Sequence, residues 1–184
     1  MTTYSALPSG YAIRPAAQND AGSIARVHVQ SWEETYRGLI PDAEIDRLTV
    51  EERTRRWLEI LAHPSPPLIV RLVTNRRGEV AGFISGGPAR APKYQLDYEI
   101  TAIYVLKVHH GLGLGRALMV DLVRQAQRQE AESLYLWVLQ NNPALGFYYH
   151  MGGEAFAVEE TVRSGQVLIE TMMIWRNLDR LINA

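Results

Sequence analysis

The chain contains no cysteine. That excludes a disulfide framework, a cysteine-based zinc site and a thiolate that could carry an acyl group. It also lacks an excess of either charge: 19 Lys and Arg stand against 20 Asp and Glu, a formal net charge of −1. No global field points to nucleic acid or to an anionic membrane surface as partner. No apolar run approaches transmembrane length, and Met1 to Pro8 lack the basic start and apolar core of a secretory signal. A cytoplasmic protein without membrane or nucleic-acid partners is the expectation. What is present is ordinary for a globular protein, with 47% hydrophobic and 21% charged residues, and a length of 184 suits one domain with a full core.

Residues 1–10 read as a flexible arm, 11–176 as the folded domain and 177–184 as a C-terminal tail. Tyr11 to Arg14 form a short strand stopped by Pro15. Asn19 or Asp20 can cap a helix in which Ile24, Val27, Ser31 and Thr35 recur at helical spacing, and which ends near Gly38. Leu39 to Asp42 read as a loop. Thr49-Val50-Glu51-Glu52 has the form of a capping box and opens a second helix to about Leu61, stopped by the prolines at 64, 66 and 67. Leu68–Thr74 and Val80–Ser85 make a hairpin, and Gly86 to Lys93 a flexible link. A strand over about Leu96–Leu106 runs into a glycine loop and a helix to about Arg128. Ser133–Val138 is apolar on both faces and therefore central. Pro143, capped by Asn142, starts a short helix that ends at Gly152-Gly153. Strands over about Ala155–Val162 and Val167–Trp175 close the chain. The sum is an α/β (α+β) domain with a mixed sheet of about six to seven strands and about four helices.

The stretch Val105 to Met119 organises the rest. An apolar strand meets Gly111-Leu112-Gly113-Leu114-Gly115, and the loop runs straight into a helix from about Gly113, with Arg116 in its first turn. A helix start offers backbone N–H groups without intrahelical partners and the positive end of the macrodipole. Glycine lets an anion approach them, and Arg116 adds a positive charge. The pattern therefore suggests a pyrophosphate-bearing ligand. A Rossmann fingerprint does not fit, because the spacing after Gly113 is wrong and the loop lies past mid-chain. A P-loop does not fit either, because Arg116-Ala117 stands where Lys-Ser/Thr is required.

Three separated segments carry a resemblance. They are Glu99 to Val105 followed by His110 to Leu118, then Asn141 to Gly152, and earlier Ser31 to Pro41. Together they closely resemble GNAT-type N-acetyltransferases, across essentially the whole chain. The first covers the family's R/Q-x-x-G-x-G/A loop and the second its N-x-x-A-x-x-F-Y-x-x-x-G signature. Three departures stand out: His110 replaces the loop's Arg or Gln, Lys107 stands where proline is usual, and Gly153 where an aromatic usually follows.

The resemblance implies a GNAT-like fold with its sheet splayed at the cofactor site. It implies acetyl-CoA as co-substrate and direct acetyl transfer to a primary amine of a small molecule, peptide or protein. The competing reading is a non-catalytic acyl-CoA-binding or sensing domain on the same fold. The backbone of Ile103, Tyr104 and Val105 is expected to meet the pantetheine arm. His110, Gly111, Leu112, Gly113, Leu114, Gly115 and Arg116 are expected at the diphosphate. Asn141 is expected at the pantetheine amide, unless both asparagines merely cap the helix. Tyr148 matches the family's general acid; the alternative is an aromatic packed on a helix face. Glu99 is the candidate general base through a water, which needs a pKa raised toward neutrality by burial. It could instead face outward or bind the amine's charge. Trp32 and Tyr36 border the acceptor pocket, with core packing the competing role for Trp32. His109 and His110 point to opposite sides of an extended segment with no carboxylate at a supporting spacing, so no metal is expected. Dimers are common in the family, which leaves a homodimer open by analogy.

Overall fold

In the computed structural model, which describes residues 7–63 and 68–183, a seven-stranded sheet has the order β1-β2-β3-β4-β5-β7-β6. The strands are β1 (Ala12–Pro15), β2 (Ile69–Thr74), β3 (Val80–Pro88), β4 (Tyr98–Val105), β5 (Leu134–Leu139), β6 (Glu154–Arg163) and β7 (Gln166–Trp175). The helices are α1 (Ala21–Tyr36), α2 (Asp42–Asp46), α3 (Val50–Ala62), α4 (Leu114–Gln127), α5 (Ala144–His150) and α6 (Leu178–Asn183). All neighbouring strands are antiparallel except β4 and β5. No helix among the described residues is long and apolar enough to cross a membrane.

The side-chain alternation of each strand divides the core into two layers. On the back, α4 buries Leu118, Met119, Leu122 and Val123 against Tyr98, Ile100, Leu134, Leu136 and Val138. On the front, α1 and α3 bury Ile24, Val27 and Trp57 against Leu72 and Phe83. The Arg71 guanidinium on β2 pairs with Asp121 on α4, fixing helix to sheet.

Several sequence expectations are met at the level of single atoms. The Thr49 hydroxyl accepts the Glu52 N–H at 3.2 Å and so caps α3. Pro15 is accommodated because β1 is an edge strand. Other expectations are corrected. Asp20 does not cap α1 with its side chain; its carboxylate accepts the Ala17 N–H and pairs with Arg14 instead. Asp42–Asp46, just beyond the expected loop, is a short helix that buries Ile45. Gly86 to Pro88 are part of β3 rather than a link, and Tyr98 packs where a side chain at Gly86 would stand. The expected tail holds α6, which buries Leu178, Leu181 and Ile182. Within the expected arm, Leu7 packs on the main core, and residues 1–6 lie outside the described residues. The proline stop at 64–67 lies outside them too.

Candidate active site

The glycine loop is shaped by two backbone conformations that side chains resist. Gly111 and Gly113 have φ of +75° and +73°. Gly113 is the N-cap of α4 and makes no side-chain cap. The first bond of the helix runs from the Ala117 N–H to the Gly113 carbonyl. The N–H groups of Leu114, Gly115 and Arg116 thus begin the helix with no partner inside it. His110 Nε2 donates to the Val105 carbonyl at 2.8 Å and ties the loop to the end of β4. Lys107, where proline is usual in the family it resembles, donates its backbone N–H to Glu34 at 2.8 Å, a bond proline could not make.

Above the loop, β4 and β5 part. They are paired only at Tyr98–Leu134 and Glu99–Tyr135, although β4 runs on to Val105 and β5 to Leu139. Beyond Glu99, β4 is paired with β3 alone, so the backbone groups of Ile103 to Val105 that point away from β3 have no strand partner. A cavity of about 590 Å³ occupies this gap. Its walls come from Ile103, Tyr104 and Val105 on β4, the loop residues His109 to Gly111 and Gly113 to Arg116, the start of α5, and Ser31, Glu34, Thr35 and Tyr36 on α1. Lys107 and Arg116 bring positive charge to the loop end. Arg116 also donates to the Ile182 carbonyl of α6 at 3.3 Å. Strand groups without a strand partner, the N–H groups at a helix start and the charges of Lys107 and Arg116 fit an extended ligand with an anionic end.

The opposite end is phenolic. Trp32 Nε1 donates to the Tyr104 hydroxyl at 2.9 Å, and the Tyr36 ring packs on Trp32 with centroids 5.0 Å apart. Burial raises the pKa of Tyr36, Tyr104 and Tyr148 well above the usual phenol value, so all three keep their protons at neutral pH. Tyr148 is buried on α5, lines the cavity and makes no hydrogen bond to another described residue. Ser31 also lines the cavity, is 2% exposed, and its hydroxyl has no partner.

Glu99 is buried on the front face but does not line this cavity. Arg90 holds both its oxygens, at 2.6 and 2.8 Å, and the Tyr135 hydroxyl donates to Oε2 at 2.8 Å. Burial opposes ionisation, but these donors outweigh it and hold the carboxyl below its ordinary range. The upward shift expected from burial alone is thus reversed. Asn141 is exposed and lies outside the cavity wall, while Asn142 lines the cavity and caps α5 by accepting the Ala144 N–H. Leu112 is 43% exposed and is not part of the wall, and Trp32 stands behind Tyr104. The sequence reading missed Ser31, Glu34 and His109 as wall residues. Ser31 and Thr35 were visible as one helical stripe, but periodicity cannot tell a face turned to a core from one turned to a cavity. His109 is oriented by Tyr11, whose hydroxyl lies 2.8 Å from Nδ1, a pairing across 98 residues that local spacing cannot show. Among the described residues, no group of three or more His, Cys, Asp or Glu is placed to hold a metal ion.

A sheet parted over a glycine loop at a helix start, with proton-bearing phenols across the gap, defines an acyl-CoA-dependent transferase. Residues 29–152 match the Acetyltransferase (GNAT) family. The chain belongs to the GNAT acetyltransferases, whose acetyl donor is acetyl-CoA. It is 31% identical over 169 residues to the uncharacterised N-acetyltransferase YuaI of Bacillus subtilis (strain 168), covering 92% of this chain and 95% of that one. The fold is shared with YncA of Salmonella typhimurium, solved with acetyl-CoA, at a TM-score of 0.69 and 23% identity over 93% of this chain and 95% of that one. It is also shared with the PaiA N-acetyltransferase of Thermoplasma acidophilum, solved with coenzyme A, at a TM-score of 0.68 and 18% identity over 89% and 97%.

Proposed function

We propose that the protein acetylates a primary amine by direct transfer, with Tyr148 donating a proton to the departing sulfur. One observation carries this reading. Tyr148 is a buried phenol, kept protonated by burial, with a free hydroxyl in the wall of the gap between β4 and β5. When bound, acetyl-CoA supplies the thioester carbonyl and the sulfur leaving group. The free backbone groups of Ile103 to Val105 orient the pantetheine arm, and the N–H groups at the start of α4, with Arg116, hold the diphosphate. With cysteine absent and no serine–histidine pair in the cavity wall, transfer passes directly to the acceptor. Tyr36 and Ser31 face the acceptor's side. Glu99 stays ionised against Arg90 and acts as a strut between β4 and the β3–β4 connection rather than as a base.

The test is Tyr148→Phe, assayed by thiol release from acetyl-CoA in the presence of amine. Turnover at saturating substrate is expected to fall about 10²-fold or more, the usual range for a general acid, with acetyl-CoA affinity preserved. Unchanged turnover would remove Tyr148 from the mechanism. Tight acetyl-CoA binding without amine-dependent thiol release would mark a non-catalytic acyl-CoA-binding domain instead.

A further inference from the structure

We propose that Glu170, on β7 beside Tyr36, is the carboxylate that receives the acceptor's ammonium, and that the acceptor bears this amine on an apolar arm. This rests on the amine-acetylation reading above. Strand register fixes where Glu170 points. It stands opposite Leu139 on β5 and Glu159 on β6, and two residues from Leu168 on its own strand. Directly paired residues share a face. Leu139 and Leu168 pack with Ile40 and Ile45, and against Trp32 and Tyr36, so this is the front face, where α1 and α2 meet the sheet. The Glu170 side chain is 20% exposed, so an acceptor can reach it from solvent.

Four strand carboxylates share that face; Glu154 is exposed opposite Ile174, and two of the other three are fully engaged. Glu99 is held by Arg90 and Tyr135. Glu159 accepts from Lys93 at 2.7 Å and from the Tyr94 hydroxyl at 2.6 Å. Glu170 has Arg163 alone, at 3.9 Å, beyond hydrogen-bonding distance, and accepts no hydrogen bond from the described residues. Like charges directly opposite across a strand pair repel, so a cation at Glu170 also relieves its juxtaposition with Glu159.

The link to the reacting end runs through Tyr36. Tyr36 lines the cavity, as Tyr148 does, and packs on the Leu139–Leu168 cluster beside Glu170, which itself stands outside the cavity wall. The Ser31 hydroxyl, also in the cavity wall and without a partner among the described residues, offers a further polar group to a ligand. The charged and titratable groups facing Glu170 are Glu159 and Arg163 from β6 and Tyr36 from α1; β5 presents Leu139. Its other neighbours are Leu139, Leu168, Ile40, Trp32 and Tyr36, with the Thr161 hydroxyl opposite Leu168 the polar exception, and this mainly apolar lining selects for an apolar arm.

The proton balance closes. The ammonium gives one proton to Glu170. The neutral nitrogen then forms the C–N bond as the C–S bond breaks, and the sulfur takes a proton from Tyr148. The second nitrogen proton restores Tyr148 through solvent, and Glu170 releases its proton to solvent.

The experiment follows thiol release by the full chain from acetyl-CoA with phenethylamine across pH. Glu170→Gln is expected to lower kcat/KM for the amine about 10²-fold and to abolish the acidic limb of its pH profile, with acetyl-CoA affinity unchanged. Glu170→Asp is expected to keep that limb with kcat/KM lowered about tenfold, and it carries the test if the glutamine variant does not fold. A wild-type rate and acidic limb in either variant that lacks or displaces the carboxylate would overturn the proposal. Thiol release with glycinamide but not phenethylamine would overturn the apolar arm. Failure to bind acetyl-CoA at all would instead defeat the reading on which this one stands.

Discussion

His28 sits on α1 inside a ring of aromatic side chains, stacked on Tyr104 with centroids 5.0 Å apart and close to Phe83, Trp32 and Trp57. Burial, reinforced by the nearby Arg53 and Arg56, pushes its pKa down to about 3. In the unfolded chain a histidine titrates near 6.5. Between those values the unfolded state binds a proton that the folded state refuses, so stability falls as pH drops from about 6.5 toward about 3. The limiting slope for one proton is about 1.4 kcal/mol per pH unit. Denaturant titrations of wild type and His28→Gln between neutral and mildly acidic pH should diverge, with the variant less acid-sensitive. Parallel stability curves would contradict the buried neutral imidazole. At this scale sequence reading succeeds where chemistry is local and fails where it is not. Tyr148 is singled out by its neighbours in the chain, and it lies in the cavity wall. The state of Glu99 depends on Arg90 and on Tyr135, the latter 36 residues away, and no strand pattern announces that pairing.

Among the elements, the turn into α4 bears the clearest sequence signature. Glycine at 111 and 113 is required by positive φ, and an alternating-glycine run before an apolar helical stripe is legible without coordinates. Gly113→Ala forces a Cβ into the left-handed region, at a cost of about 1–2 kcal/mol. No atom crowds that position, so the cost is conformational rather than steric. The expected result is a fall in acetyl-CoA affinity of roughly tenfold by calorimetry with the fold retained, since the distorted N–H groups are those proposed above to hold the diphosphate. An unchanged dissociation constant would place the diphosphate elsewhere. The elements that escaped sequence reading are those whose signals are weak or distributed. Helix α2 has five residues and little periodicity, and α6 is recognisable only by the core it covers. Gly86 and Gly87 suggest a link, yet they sit in β3 because Tyr98 and Leu122 pack close to the backbone at Gly86.

For the whole molecule, the parallel β4–β5 junction is the organising fact. Six strand contacts hold the sheet together, and the one parallel pair is abandoned after two residues. On one side of the opening lies α4 with its glycine loop, on the other α1 with its hydroxyls. Sequence alone supplied the mixed sheet and its strands, because alternation and turn residues are local. It did not supply the length over which β4 and β5 stay paired, which is decided by packing on both faces. The most direct measurement is residue-resolved amide hydrogen exchange with and without acetyl-CoA. The account predicts slowed exchange at the outward-pointing amides of Ile103 to Val105 and at Leu114 to Arg116, with little change along β6. Protection absent from β4 and the start of α4, or concentrated elsewhere, would contradict it.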